Sequence, residues 1–157
     1  MVRCKSTPRL SGINNLVILT QTDTTVGFVC QDANQLYKIK SRNTSKPFIK
    51  IYSSFKNFLA CGNRVPHAKK NMIRRSKKTT FIVKNKAFRI SKDNLNSQIL
   101  RDMRWHYSTS ANQSKKNFQR EFCEDKADII IEDKQGLYEN SSSSLFKINN
   151  VKQLRIR

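Results

Sequence analysis

Glycine and proline are both scarce in this sequence, with 4 glycines and 3 prolines among 157 residues. Neither is concentrated in a linker, and the length suits one domain, so we expect a single domain over residues 1–157. No segment resembles the G-x-x-x-x-G-K-S/T loop that binds phosphates, or the G-x-G-x-x-G turn that binds dinucleotides. The sequence therefore disfavours a P-loop NTPase and a Rossmann dinucleotide site.

Long apolar runs are also missing. The longest aliphatic run covers residues 16–19, far fewer than the ~20 residues of a membrane span and fewer than a signal peptide needs. We expect no membrane association. The four cysteines, at positions 4, 30, 61 and 123, form no C-x-x-C pair, which argues against a zinc ribbon or a dense disulfide framework. Reduced thiols and a cytoplasmic location are the expectation.

Acidic residues are few and unevenly placed. The chain has 31 Lys+Arg against 11 Asp+Glu, a formal net charge of +20. Residues 33–92 contain no acid and 17 Lys+Arg, whereas residues 121–139 contain seven acids and only Lys126 and Lys134. This asymmetry predicts a strongly positive face that attracts polyanions. A solvated basic surface with no partner is the alternative.

Short apolar segments alternate with segments of helical periodicity. The strands are predicted at residues 16–19, 26–30, 48–52, 79–83, 129–131 and 145–148. One helix is predicted to begin after Asp32, one after Ser53 or Ser54, and one after Asp93 or Asn94. The alternation predicts an α/β fold with a largely buried sheet.

Two segments rich in hydroxyl groups are candidates for ligand binding. Residues 22–25 supply three threonines between two apolar runs, and residues 107–114 supply several hydroxyls with Asn112. Such groups can bind phosphate or carboxylate oxygens. The simpler interpretations are a local turn for the first segment and a loop that caps the next helix for the second.

A third candidate segment, residues 38–47, is basic and joins a predicted helix to a predicted strand. Lys40, Arg42 and Lys46 lie there, where loops of α/β sheets commonly hold ligands. Arginine offers phosphate a fork of donors and lysine a point charge. Cations near a helix C-terminus are also favourable with the helix dipole alone, so both interpretations stay open.

In order and spacing, the three segments resemble the YrdC-like family of threonylcarbamoyl-adenylate synthases. Its members share a Pro-Thr-Asp-Thr-x-Tyr-Gly stretch, a Lys-x-Arg followed by a proline, and a Ser-x-Asn. Here Thr22-Asp23-Thr24 with Gly27, Lys40-Ser41-Arg42 with Pro47, and Ser110-Ala111-Asn112 match these motifs. The similarity covers residues 12–155. The chain departs from the family pattern at Gln21, Val26, Asn43 and Lys115. These departures affect the expected pocket walls and turn geometry more than the expected phosphate contacts.

The resemblance implies a short, single-domain member with a twisted mixed sheet and flanking helices around a basic cavity. Such an enzyme makes threonylcarbamoyl-AMP and pyrophosphate from L-threonine, bicarbonate and ATP. Mg²⁺ would arrive with ATP, bound mainly by phosphate oxygens and water. The product would pass to a downstream threonylcarbamoyl transferase complex that modifies tRNA. The reaction needs positioning and charge compensation, so we assign no catalytic side chain and no metal ligand.

The resemblance also assigns binding residues by motif. The residues expected to bind ATP are Lys40, Arg42, Lys46, Ser110, Asn112 and Arg155. The residues expected to bind threonine are Thr24, Thr80, Arg89 and Ser144. The two histidines, His67 and His106, have no partner pattern and are expected on the surface.

A dense basic run supports an alternative function. The run contains Lys69, Lys70, Arg74, Arg75, Lys77 and Lys78, and residues 64–92 hold eleven Lys+Arg in all. This exceeds what solubility requires and suits the phosphate backbone of RNA. The alternative is an RNA-binding module of the same fold, for double-stranded RNA or tRNA, with weak or lost synthase activity.

Overall fold

The structure, a computed structural model, describes residues 2–4, 10–41, 45, 47–91, 98–113 and 116–157. The strands are β1 (Val2–Cys4), β2 (Ile18–Gln21), β3 (Val26–Cys30), β4 (Ile49–Tyr52), β5 (Thr79–Val83), β6 (Lys86–Ile90), β7 (Trp105–Ser110), β8 (Ile129–Ile131), β9 (Ser144–Ile148) and β10 (Gln153–Arg155). The α-helices are α1 (Ala33–Lys40), α2 (Phe55–Ala60), α3 (Lys70–Arg75), α4 (Gln98–Asp102) and α5 (Arg120–Lys126). Two 3-10 helices cover Leu10–Asn15 and His67–Lys69.

The chain divides into two compact units. The first unit comprises residues 1–48 and 106–141, and the second comprises residues 49–105 and 142–157. Each unit therefore combines two segments that are distant in sequence. The expectation of a single domain over residues 1–157 stays a prediction.

The first unit contains a mixed sheet in the order β1-β8-β2-β3-β7. Strand β8 runs parallel to β2, while the other neighbouring strands pair antiparallel. All five residues of β3 are buried, because the strand is central and is covered by the apolar side of α1, including Leu36. The cluster built around Phe28 and Leu36 forms the core of this unit.

The second unit contains a mixed sheet in the order β4-β6-β5-β9-β10. Strands β5 and β6 form an antiparallel hairpin, with parallel neighbours β9 and β4 on its two sides. Its core is largely aromatic: the Phe58 ring stacks on Phe88 at a centroid distance of 4.5 Å and meets Tyr52 edge-on at 5.1 Å. Buried aromatic pairs of this kind stabilise a core beyond their buried area.

Several sequence predictions are confirmed. Strands β3, β5 and β8 have the predicted bounds. The Asp32 carboxylate accepts a hydrogen bond from the Asn34 amide at the start of α1, and the Ser54 hydroxyl accepts one from Asn57 at the start of α2. Both are N-caps of the expected kind. The predicted cap at Asp93 or Asn94 lies outside the described residues.

Two predictions are wrong. The first four residues of the segment at 107–114 are strand, because β7 extends to Ser110 and pairs with β3, so this part is not a capping loop. His106 is buried, at 5% exposure, rather than on the surface. His67 is exposed, as expected. Over the part of the chain that is described, we find no helix long and apolar enough to cross a membrane.

Candidate functional site

The first candidate cluster lies in the first unit and is centred on Lys40, the last residue of α1. The helix ends there because Ser41 takes a left-handed conformation, with a φ of 45°. The Lys40 ammonium donates to Ser110 O at 3.0 Å, to Asn112 O at 2.5 Å and to Asn112 Oδ1 at 2.7 Å. Two motifs 70 residues apart in sequence are thus joined by one side chain.

The Asn112 side chain is held on both of its polar atoms. Its Oδ1 also accepts a hydrogen bond from Ser110 Oγ at 2.8 Å, and its Nδ2 donates to Lys116 O at 2.6 Å. The amide orientation is therefore fixed by its surroundings, and the oxygen faces the Lys40 ammonium. Ser110 is exposed and Asn112 half-buried, so the cluster is open to a ligand from solvent.

The threonine turn lies in the same unit, between β2 and β3. The Thr22 hydroxyl donates to Thr25 O at 2.6 Å and accepts from the Thr24 amide at 3.3 Å. Thr24 is buried, at 6% exposure. Gly27 follows in β3, where a Cβ would lie 3.0 Å from Thr109 O and 3.0 Å from Thr22 Cγ2. The glycine therefore allows β3, the turn and β7 to approach closely.

The second candidate cluster lies in the second unit and is buried. Arg89 Nε and Nη2 both donate to Thr80 Oγ1, at 3.2 and 3.1 Å. Thr80 Oγ1 also shares a hydrogen bond of 2.9 Å with Ser143 Oγ. Arg89 is only 4% exposed, which is rare for a guanidinium. The predicted pair Thr80 and Arg89 thus shares one hydrogen-bond network.

The serine that contacts Thr80 is Ser143, and the assignment of its neighbour Ser144 to threonine binding stays a prediction. Ser144 begins β9, lies opposite Thr79 and donates its amide to Lys78 O at 3.1 Å. Sequence reasoning missed Ser143 because both serines lie in a run of four. The alternation of strand side chains offers the missing signal, since neighbouring residues face opposite sides of a sheet.

Of the other residues predicted to bind ATP, the structure describes Arg155 but not Arg42 or Lys46. Arg42 and Lys46 lie outside the described residues, together with Asn43 and Lys115. Arg155 lies on the exposed strand β10 of the second unit, and its Nε donates to Arg157 O at 3.3 Å. Arg157 in turn donates from Nε to Ser143 O at 3.1 Å, a contact that sequence reasoning did not suggest.

The basic run forms a short exposed helix and its flanks. Ile73 is the buried residue that anchors α3. The Arg74 guanidinium lies over the Phe55 ring, 5.3 Å from its centroid. Arg74, Arg75, Lys77 and Lys78 are exposed, and Lys69 and Lys70 are half-buried. The run therefore presents its charges to solvent, as a surface for a polyanion would.

Burial shifts the pKa values of several titratable groups, among them His106 and Lys50. Burial lowers the pKa of His106 to about 4, and its Nδ1 is buried without a hydrogen-bond partner. Burial also lowers the pKa of Lys50, whose ammonium lies over the Trp105 ring at 3.5 Å from the centroid. Among the described residues, no group of three or more His, Cys, Asp or Glu could hold a metal ion.

Comparison of the sequence with protein-family models gives a match, whereas comparison with curated proteins gives none. The Sua5/YciO/YrdC family model, described as "Telomere recombination", matches residues 14–156. No curated protein matches the chain.

Several solved structures share the fold. P. abyssi Sua5 complexed with L-threonine is 14% identical with a TM-score of 0.71, over 90% of this chain and 50% of that one. E. coli YciO is 17% identical with a TM-score of 0.68, over 97% and 91%. The MTH1692 protein from Methanobacterium thermoautotrophicum is 17% identical with a TM-score of 0.64, over 99% and 88%.

These likenesses establish the fold class: a mixed α/β fold with large mixed sheets and flanking helices, as predicted. The chain spans about half the length of the two P. abyssi Sua5 structures, 52% and 50%.

Proposed function

Because the chain belongs to the Sua5/YciO/YrdC family, we propose that it is a threonylcarbamoyl-AMP synthase. Its substrates are L-threonine, bicarbonate and ATP, and its products are threonylcarbamoyl-adenylate and pyrophosphate. This makes it a nucleotidyltransferase. The observation that carries the proposal is the cluster of Lys40, Ser110 and Asn112, in which two family motifs form one polar site.

Lys40 is the proposed counter-charge for the ATP phosphates. Its ammonium is held by three oxygen acceptors, so its position is set before the nucleotide arrives. Charge placed in advance stabilises developing negative charge without reorganisation at the moment of reaction. Ser110 and Asn112 orient this charge and offer neutral groups to the nucleotide. Arg42, Lys46 and Arg155 are further proposed ATP contacts, on the motif match alone.

The proposed reaction is an in-line displacement at the α-phosphate. Threonine and bicarbonate first condense to N-carboxythreonine with loss of water. A carbamate oxygen then attacks the α-phosphorus, a new P–O bond forms, and the bond to the β-phosphate bridging oxygen breaks to release pyrophosphate. Positioning and charge compensation account for catalysis of such a step, which fits a site rich in cations and hydroxyls.

Thr80 and Arg89 are the proposed threonine-binding residues in the second unit. A buried guanidinium that already donates to a hydroxyl suits the carboxylate of an amino acid. One relative with the same fold, P. abyssi Sua5, has been solved in complex with L-threonine, which supports threonine as a ligand here. Thr24 and Ser144 complete the proposed threonine set by motif, and Ser143 joins them through its contact with Thr80.

Mg²⁺ belongs to this proposal as the counter-ion of ATP. The Lys40 ammonium lies beside Ser110 Oγ and Asn112 Oδ1, and a cation at this position suits a phosphate and disfavours a bare divalent ion. Mg²⁺ would therefore keep its phosphate and water ligands. The product would serve a threonylcarbamoyl transferase complex acting on tRNA. Cys30, Cys61 and Cys123 are free thiols, and we retain a cytoplasmic location as part of the proposal.

A pyrophosphate-release assay tests the proposal. With ATP and Mg²⁺ present, threonine and bicarbonate are omitted in turn. Release that depends on both supports the synthase, release from ATP alone identifies another ATPase, and no release identifies a binding module. A Lys40→Met variant serves as the control for contaminating activity, since it removes the charge but keeps the length of the side chain.

The second candidate function is RNA binding. The observation that favours it is the exposed basic run around α3, within residues 33–92 that contain no acid. Cations that neutralise phosphates release counterions, which makes affinity fall with salt. The two functions can coexist, since the basic run matches none of the synthase motifs.

A further inference from the structure

A cavity of about 570 Å³ lies in the second unit. Its walls come from the segment after α2, from the β5–β6 hairpin and from the turn between β9 and β10. The volume falls within the range of roughly 300–1,000 Å³ that is typical of small-molecule sites. Among the residues that the structure describes, those proposed above for ATP, threonine or RNA do not line this cavity.

Apolar side chains line much of the cavity. Phe58 and Phe88 are buried and stacked on each other at 4.5 Å, and Val65, Val83 and Ile148 also belong to the apolar lining. Asn63 is fixed beside them, because its Nδ2 donates to Tyr52 Oη at 3.0 Å and to Phe58 O at 2.9 Å. A rigid apolar surface of this kind suits a flat aromatic ring.

The exposed part of the lining contains three cationic side chains, Arg64, Lys84 and Lys86. No Asp or Glu is among the described residues that line the cavity. Arg64 Nη1 donates to Asn63 O at 2.9 Å, which orients the guanidinium beside the anchored amide. Arginine and lysine together are a common pair for phosphate recognition.

One of these cations occupies an unfavourable backbone conformation. Lys84 and Asn85 form the turn between β5 and β6, with φ values of 47° and 61°. Such two-residue hairpin turns prefer Asn-Gly, because most side chains are strained at positive φ. Strained residues tend to occur at functional sites. A lysine at this position therefore points to a use for its charge.

We propose that this cavity binds a nucleotide, with the base against Phe58, Val83 and Phe88 and the phosphate against Arg64, Lys84 and Lys86. An aromatic ring and an adjacent phosphate match the two chemical parts of the lining. An isolated inorganic anion would leave the apolar part unused. The same chemistry is available in a free nucleotide and in an unpaired nucleotide of single-stranded RNA, whose bases can enter aromatic pockets.

Titration of the ¹⁵N-labelled chain tests binding. AMP, adenosine and inorganic phosphate are added separately, and the amide resonances of Gly62, Val65, Lys84 and Lys86 are followed. We expect AMP to shift all four amides and to bind about tenfold or more tighter than either adenosine or phosphate, since each retains only half of the contacts. Phosphate binding as tight as AMP, or no AMP shifts at these amides, contradicts the proposal.

Two glycine variants of the hairpin turn separate charge from strain. Lys84→Gly removes the charge and the strain, while Asn85→Gly relieves strain and keeps the charge. Both variants should fold at least as stably as the parent, since glycine accepts positive φ. AMP affinity at the cavity should fall about five- to tenfold in Lys84→Gly and stay unchanged in Asn85→Gly.

The exposed Lys56 on α2 supplies a charge control, because it does not line the cavity. Lys56→Ala should leave AMP affinity at the cavity unchanged. Equal losses in Lys56→Ala and Lys84→Gly would show that AMP senses only overall charge and would overturn the proposal.

A short single-stranded oligoribonucleotide distinguishes the two nucleotide sources. Binding at least tenfold tighter than AMP, with shifts at the same four amides, assigns the cavity to RNA; equal or weaker binding assigns it to a free nucleotide. The proposal fails if the oligonucleotide and AMP both leave these amides unshifted. Pyrophosphate release should be unchanged in Lys84→Gly, so the outcome here is independent of the synthase proposal.

Discussion

The Lys40 ammonium and the Asn112 side-chain oxygen lie 2.7 Å apart. The contact connects the end of α1 to the residues that follow β7. Ser110, the last residue of β7, supports it by donating a hydrogen bond to the same Asn112 oxygen. It is a charge-assisted hydrogen bond in the first unit, worth more than a neutral one. The lysine is therefore oriented by an amide, which compensates less of its charge than a carboxylate would.

Replacing Asn112 by aspartate should inactivate the synthase more strongly than replacing it by alanine. The carboxylate would pair with Lys40 and repel phosphate, whereas alanine only removes a support. We expect Asn112→Asp to lower kcat/KM for ATP about a hundredfold and Asn112→Ala about tenfold, as one charge-assisted contact is worth about 1.5–3 kcal/mol. Steady-state kinetics measure both. An equal or milder loss in Asn112→Asp would mean that Asn112 only supports the local backbone.

Replacing Thr80 by valine should destabilise the second unit and weaken threonine binding. Valine keeps the shape but removes the acceptor of two Arg89 hydrogen bonds and the partner of Ser143. Arg89 and Ser143 would lose this hydrogen-bond partner, which should lower the free energy of unfolding by about 1–3 kcal/mol. Urea unfolding measures this loss. The KM for threonine should also rise. Thr79→Val is the matched control, since its hydroxyl donates to the Lys77 carbonyl at the surface. Comparable losses in the two variants would contradict a special role for Thr80.

Stability should fall in mild acid because of His106. Its pKa is about 4 in the folded protein against 6.5 as the reference value, so the unfolded chain takes up the proton first as the pH falls. This loss in the free energy of unfolding begins near pH 7, grows as the pH falls to about 4, and reaches roughly 2 kcal/mol at pH 5.

The measurement is urea unfolding at pH 7 and pH 5. His106→Leu should remove roughly that part of the pH-dependent loss, whereas His67→Leu, at an exposed position, should retain it. If His106→Leu loses as much stability between the two pH values as the parent, the buried histidine is not its source.

Glutamine substitutions in the basic run should separate RNA binding from synthesis. Replacing Lys69, Lys70, Arg75, Lys77 and Lys78 in sets should lower the salt slope of RNA affinity by about one unit per true contact. Arg74 is tested alone, because its contact with Phe55 gives it a packing role as well. Fluorescence anisotropy over a range of salt concentrations gives the slope.

The reverse control is Arg42→Ala, which should abolish most synthesis and retain most RNA affinity. Arg42→Lys should restore little activity if the arginine fork matters. Loss of synthesis in a folded glutamine variant would place the basic run in the active site instead. An unchanged RNA affinity and slope would leave the run as a solvated surface.

The sequence predicted best where local chemistry decides structure. The caps at Asp32 and Ser54 depend on one side chain and the amides that follow it, and the apolar strand β3 is buried throughout. Strand β6 was missed, because Lys86 and Arg89 interrupt its apolar pattern and its turn is Lys84–Asn85 rather than a glycine turn. Arg89 is buried in the structure, where β6 pairs with β4 and β5 on its two sides, and the sequence pattern does not show this.

The motifs named the candidate site residues, whose binding roles stay predictions, but they did not predict the contacts between those residues. Motif order selected Lys40 and Asn112, yet no sequence feature shows that the ammonium meets the amide oxygen across 72 positions. The hydroxyl-rich segment was interpreted as a loop, because serine and threonine favour turns by propensity. Pairing with β3 overrides that preference as far as Ser110. The sequence also does not show that Ser143, rather than its neighbour Ser144, contacts Thr80, because strand alternation decides which side chain faces inward.

The most direct test of the proposed activity follows the carbon of bicarbonate into the product. The protein is incubated with ATP, Mg²⁺, L-threonine and ¹³C-bicarbonate, and the nucleotides are analysed by mass spectrometry. A synthase yields a threonylcarbamoyl-adenylate that carries the ¹³C label, in amounts equal to the pyrophosphate released, and Lys40→Met yields little of either. Pyrophosphate without the labelled adenylate, or no labelled adenylate at all from folded protein, would contradict the assignment.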